Sequence, residues 1–195
     1  MRAPVERAAL DEAVAVQRAR ALPWVTVMAG SLLTAIPVAA TAPLMPPTGL
    51  LMLLAWRLLA PLALRPWAPA LLGLFDDLVS GQPLGSAMLL WQLAAFGVTL
   101  AERRTLFRGF AQDWLIAAGA LAFCLYAGRL VATPLTARVD LVLGAQIVIA
   151  VLAYPLAASL VARIDRKRTV DSSRSVDRRR STDRRRSGDR RRTAA

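Results

Sequence analysis

The sequence contains no histidine, and its single cysteine, Cys124, lies inside a long apolar run. Without histidine, Ser/His/Asp and Cys/His nucleophile systems are excluded. One cysteine supports neither a disulfide nor a Cys/His metal site. A glycine-rich phosphate loop of the P-loop type is also missing. These absences disfavour an enzyme, and no cofactor or metal is expected.

Charge is scarce as well, except at the two ends of the chain. Charged residues make up 19% of the 195 residues, hydrophobic residues make up 56%, and the mean hydropathy is +0.45. This composition is typical of an integral membrane protein. Because a helix needs about 20 apolar residues to cross the hydrocarbon core, the chain divides into windows of roughly that length.

The apolar windows predict an all-α integral membrane protein, a bundle of six transmembrane helices. They are rich in alanine and leucine and lack two-residue alternation, so a barrel of strands is disfavoured. The first window ends in "AATA", like a signal-peptide cleavage site, but its apolar stretch is longer than the usual h-region of about 7–15 residues. The windows cover residues 22–42, 48–64, 67–80, 84–101, 113–133 and 141–162.

The predicted organisation has three parts. Residues 1–21 form a cytoplasmic N-terminal segment, either an interfacial helix or a solvated extension of the first span. Residues 22–164 form the transmembrane domain, and residues 165–195 form a disordered basic tail. Nearly all lysines and arginines fall on one side of this topology, which predicts a multi-pass protein with both termini in the cytoplasm.

Two charged residues in the second and third windows are predicted to form an intramembrane ion pair. Counted from Pro66, Arg57 lies nine residues along one arm of a hairpin and Asp76 ten residues along the other. At about 1.5 Å per residue the two side chains have similar depths. A buried charge needs a partner, and breaking such a pair costs about 3–5 kcal/mol.

The neighbouring aspartate, Asp77, is predicted to accept hydrogen bonds from the free N–H groups that open the fourth helix near Gly85 and Ser86. Gly81 and Pro83 are helix stop and restart signals between the two spans. A proton relay or a ligand contact remains an alternative role for the aspartates.

Four residues at steps of four, within "GLFDDLVSGQPLG", resemble the G-x-x-x-D-(L/I)-x-x-G-x-x-x-G hairpin of the bacterial rod shape-determining MreD family. "PLMPPTGLLMLLAWRLLAP" is similar to the second span of that family, and "VLAYPLAASLVARIDRKR" to its end. Arg57 and Asp76 occupy positions that are expected to be apolar in relatives. This joint departure from the family pattern agrees with their being partners. The four motif residues are Gly73, Asp77, Gly81 and Gly85.

The resemblance implies a non-catalytic scaffold in the bacterial inner membrane. Its expected partners are the membrane protein MreC, the peptidoglycan synthase complex of cell elongation and, indirectly, the MreB filament. It also implies a six-helix architecture shared with substrate-binding subunits of energy-coupling-factor transporters. The alternative function is therefore a substrate-binding membrane subunit of a small-solute, vitamin-type transporter, which predicts an internal polar cavity.

Small residues in the spans are candidates for contact with a partner helix, because they let helices approach closely in lipid. Packing within the bundle is the alternative use of each of them. They are Gly73 on the third span and Gly119, Ala120 and Gly128 on the fifth.

The tail consists of five hexads that each begin with aspartate, from Asp165 onward, followed by Ala195. Its many arginines and few apolar residues predict disorder. Anionic lipid headgroups are the expected partner, at about 1 kcal/mol per basic residue near the surface, and a protein partner is an alternative. No aromatic residues interleave the arginines, so nucleic-acid binding is not expected. The central arginines are Arg178, Arg179, Arg180, Arg184, Arg185 and Arg186.

Overall fold

A computed structural model of the protein describes residues 21–34, 46–81, 83–104, 109–132 and 142–167. Over these residues the chain forms six α-helices and no strand, which confirms the all-α fold class. The residues before 21 and those after 167, including the six central arginines of the tail, lie outside the described residues. The helices are α1 (Ala21–Thr34), α2 (Thr48–Leu59), α3 (Ala68–Ser80), α4 (Ser86–Arg104), α5 (Phe110–Ala132) and α6 (Val142–Lys167).

Two of these helices, α5 and α6, are long and apolar enough to cross a membrane, with mean hydropathies of 1.7 and 2.1. Both also carry large apolar side chains on the surface of the bundle. Leu115 of α5 is 72% exposed, and Leu156 of α6 is 73% exposed. Such a surface is costly in water and favourable in lipid. The described chain therefore has the properties of a helical membrane protein.

Helix α2 lies at the centre of the packing. The side chains from Leu50 to Trp56 are all buried. Helix α2 packs against α4 and α5, while α3 packs against α4 and α4 against α5. Indole groups join the remaining helices: Trp56 Nε1 donates to Thr26 Oγ1 of α1 at 2.8 Å, and Trp114 Nε1 of α5 donates to the Val151 carbonyl of α6 at 3.0 Å.

The second helix is shorter than the sequence predicts. Helix α2 ends at Leu59 rather than near Leu64, and residues 60–67 form turns. Pro61 explains this, because the residue before a proline disfavours helical geometry. The next side chain, Leu62, is 99% exposed. The tight hairpin predicted around Pro66 is therefore replaced by a longer turn segment between α2 and α3.

Candidate functional site

Asp77 lies at the centre of the hairpin formed by α3 and α4, and its side chain is only 1% exposed. Its Oδ2 accepts hydrogen bonds from the backbone N–H groups of Gly85 at 2.9 Å and Met88 at 3.3 Å. Its Oδ1 accepts from the Ser86 hydroxyl at 3.0 Å and the Ala87 N–H at 2.9 Å. The carboxylate therefore satisfies the free donors that open α4, as the sequence predicts.

Two glycines of the motif form the turn that makes this cap possible. Gly81 ends α3 in the left-handed conformation, with φ of 68°, and its N–H donates to the Asp77 carbonyl at 3.1 Å. Gly85 precedes α4 with φ of 93°. Only glycine adopts such values of φ without strain, so both positions require it.

The remaining motif glycine, Gly73, lies where α3 and α4 cross. A Cβ atom placed on Gly73 would lie within 2.8 Å of the carbonyl group of Ala87 and the Cα atom of Met88. The two backbones are thus in direct contact within the first turn of α4. All four motif residues consequently act on one local structure, the α3–α4 hairpin.

The structure does not bring Arg57 and Asp76 together, so the predicted ion pair is not among the contacts of the described residues. The Arg57 guanidinium donates to Thr99 Oγ1 of α4 at 3.0 Å and to the Pro61 carbonyl at 3.5 Å. Among the described residues, its buried Nε atom has no hydrogen-bond partner.

The depth count failed because α2 ends at Leu59, well before Pro66. Arg57 lies in the last turn of α2, whereas Asp76 lies eight residues into α3, about 12 Å along its axis. Since α2 packs against α4 and α5, its arginine meets α4 instead.

Replacing Arg57 with methionine is expected to change the free energy of unfolding by less than about 1.5 kcal/mol. Methionine keeps most of the apolar stem, and the change removes a half-buried charge whose Nε has no partner. Thermal melting in detergent micelles measures the effect. A loss of about 3–5 kcal/mol that Asp76→Asn partly reverses would instead support the ion pair.

Asp76 lines a cleft of about 270 Å³ between five helices. The cleft lies where α3 and α5 end and where α2, α4 and α6 begin. Opposite charges share it, since Arg129 of α5 lines it too, and among the described contacts these two side chains form no ion pair. We call it the Asp76–Arg129 cleft, and its lining includes Leu50, Asp76, Trp91, Cys124, Arg129 and Gln146.

Arg129 is not among the site residues predicted from the sequence. The signal was present, because Arg129 is an ionisable residue inside the fifth apolar window, and such residues usually face a partner or a polar cavity. The leucine and tryptophan residues that line the cleft could not be predicted in this way, because such residues are also common in an apolar core.

The small residues proposed for helix contact fall into two groups. Gly73 contacts α4, and a Cβ atom on Gly128 would lie 3.6 Å from a methyl carbon of Leu90, so both pack inside the bundle. Gly119 and Ala120 instead line a groove of about 350 Å³ between α4 and α5. We call it the α4–α5 groove.

The surface of the α4–α5 groove is apolar and rich in small residues. Gly97 of α4 lies in it opposite α5, and a Cβ atom placed on either Gly97 or Gly119 would meet no atom within 4 Å among the described residues. Ala94, Ala101 and Phe123 complete its walls. A groove of this kind allows the close approach of another helix in lipid.

Comparisons with known proteins give no match. No family model matches the sequence, and neither the curated proteins nor the solved structures contain a significant match. The geometry of the chain itself therefore carries the functional argument.

Proposed function

We propose that the protein is a non-catalytic scaffold of the bacterial cell-elongation machinery, in the manner of the MreD family. The observation that carries the proposal is the α3–α4 hairpin. The residues that resemble the family motif act there as a unit, in which Asp77 caps α4 and Gly73 allows the helices to touch. Each of the four motif residues thus has a structural role in this hairpin, which supports the proposal more than their spacing alone does.

The proposal includes six crossings of the inner membrane with both termini in the cytoplasm. The long apolar helices α5 and α6 support it, as does the alternation of helix direction around the Asp76–Arg129 cleft. In this orientation the cleft lies toward the outer face, and the polybasic tail follows α6 on the cytoplasmic side, where it binds anionic lipids.

A transmembrane helix of a partner such as MreC packs into the α4–α5 groove. Apolar side chains from both walls supply van der Waals contact, and the glycines let the backbones approach. The peptidoglycan synthase complex and, indirectly, the MreB filament complete the assembly. The chain itself carries out no chemical step in this role.

Depleting the protein in its bacterial host is expected to convert rods to spheres, because the elongation machinery loses a membrane component. Cell shape is followed by phase-contrast microscopy, and wild-type protein restores the rods. Rods that persist after complete depletion would remove the cell-elongation role.

The same assay tests the groove. Gly119→Leu and Gly97→Leu each place a large side chain in the groove at a position where a Cβ atom meets no described atom within 4 Å. The protein is therefore expected to fold but to lose its partner and fail to restore rods. Gly144→Leu is the matched control, because Gly144 of α6 is equally open and lies outside the groove. Co-purification of MreC measures the loss. Equal rescue by all three variants would exclude the groove as the partner site.

A second candidate function is a substrate-binding membrane subunit of a small-solute transporter. The observation that favours it is the Asp76–Arg129 cleft, a cleft between helices that is lined by both charged and apolar side chains. Uptake of solute that depends on the protein, in cells that keep their rod shape after depletion, would favour this candidate over the scaffold.

A further inference from the structure

The Asp76–Arg129 cleft contains a carboxylate and a guanidinium that line the same space without pairing. Its volume is about 270 Å³, enough to admit several water molecules. Asp76 and Arg129 are both partly buried. Taking a charge out of water costs free energy, which an opposite charge or hydrogen bonds offset. One ligand that carries both charges would satisfy both side chains at once.

Other groups around the cleft suit a small polar molecule. The Ser31 hydroxyl lies beside the Asp76 carboxyl, and within the described part of the chain its buried Oγ has no hydrogen-bond partner of ordinary geometry. Gln146 adds an amide group, while Leu50 and Trp91 form apolar parts of the wall. A mainly apolar lining with a few convergent polar groups is typical of sites for small molecules.

We propose that this cleft binds a zwitterion, with an ammonium group on Asp76 and an anionic group on Arg129. A carboxylate only accepts hydrogen bonds and therefore suits the N–H groups of an ammonium. A guanidinium matches the oxygens of a carboxylate or a phosphate in a two-point contact. A ligand with only one charge leaves the opposite side chain unpaired and binds more weakly.

The zwitterion has two possible sources, a free solute or the headgroup of a zwitterionic phospholipid. The cleft lies at the ends of helices, which is the depth of headgroups if the helices cross a membrane. The inference concerns binding alone, so it holds for the scaffold and for the transporter subunit alike.

The test uses the full chain purified in dodecyl maltoside, a detergent without charge. Phosphoethanolamine is the free probe, and its binding is measured by calorimetry and by the rise in melting temperature. Phosphatidylethanolamine, compared with phosphatidylglycerol, is the lipid probe, and retained lipid is counted by native mass spectrometry. Ethanolamine and inorganic phosphate are tested separately, and each is expected to bind at least about tenfold more weakly than a probe with both charges.

Two substitutions locate the site. Asp76→Asn and Arg129→Gln are each expected to weaken binding of the zwitterionic probe by about tenfold or more. Arg129→Lys, which keeps the charge but loses the two-point contact, is expected to give an intermediate affinity. Arg103→Gln is the matched control, because Arg103 is exposed on α4 and is not among the lining residues. Melting of each variant without ligand shows that it is folded before its affinity is compared.

Each outcome decides the inference. Binding of the free probe supports it for a solute, and selective retention of phosphatidylethanolamine alone supports it for a headgroup. The inference is overturned if neither probe binds, if inorganic phosphate binds as tightly as phosphoethanolamine, or if folded Asp76→Asn and Arg129→Gln variants bind like the wild type.

Discussion

Replacing Asp77 with alanine is expected to lower the free energy of unfolding by about 3–5 kcal/mol, because four hydrogen bonds to a buried carboxylate are lost together. The N–H groups of Gly85, Ala87 and Met88 then lose their acceptor, and that of Ala87 does so in a buried position. Thermal melting in detergent micelles, followed by circular dichroism, measures the loss.

Asparagine at this position is expected to cost about half as much. Its single carbonyl oxygen can replace Oδ1 and keep the bonds from Ser86 and Ala87. Its NH₂ group then faces the N–H groups of Gly85 and Met88, so donors meet donors. The wild type is thus expected to be the most stable, Asp77→Asn to be intermediate and Asp77→Ala to be the least stable.

The adjacent aspartate provides the matched control for this prediction. Asp76→Asn removes the same charge one residue earlier, but its side chain lines the Asp76–Arg129 cleft and does not cap α4. We expect it to melt close to the wild type. If Asp76→Asn and Asp77→Asn were equally destabilised, the loss would reflect charge in α3 in general and the capping role of Asp77 would be refuted.

The second large effect is expected from Gly73→Ala, which should destabilise the protein by about 2–3 kcal/mol. The new methyl group would overlap the backbone of Ala87 and Met88, and backbone atoms of a helix cannot rotate away as a side chain can. Helix α4 must then move from α3, which also lengthens the hydrogen bonds to Asp77. The melting temperature and the α3–α4 separation, measured by cross-linking, report the two consequences.

Gly119→Ala is the control for the crossing, because a methyl group there meets open space. This change improves helix propensity and is expected to leave stability unchanged or to raise it by up to about 1 kcal/mol. A Gly73→Ala variant that melts like Gly119→Ala would contradict the close contact of the two helices.

Local chemistry explains why parts of the structure were predictable. The limits of α3 follow from Pro69 in its first turn and Gly81 at its end, both of which act within a few residues. The bond from Asp77 to the start of α4 spans only eight to eleven residues. A short loop leaves few alternatives, so a carboxylate before a Gly/Pro turn already indicates its donors.

Contacts between distant helices were not predictable in this way. The side-chain partner of Arg57 is Thr99, which lies 42 residues away on a helix whose position depends on the packing of the other helices. Counting residues from Pro66 gives the depth of a side chain only if the helix continues to Pro66. Helix α2 ends before Pro61, so the count does not apply to Arg57. The predicted end of α2 differed from the observed end by only about five residues, yet this placed Arg57 in contact with α4 rather than with α3.

The sequence by itself determined the helical class, the apolar character of the longest helices and the capped hairpin around Asp77, because composition and short-range hydrogen bonding need no knowledge of packing. Only the tertiary structure decided that Arg129 shares a cleft with Asp76 and that Gly97 and Gly119 line one groove. These residues come together because of the order in which the helices pack. Hydrophobic burial is non-directional, so the pattern of apolar residues along the sequence does not specify that order.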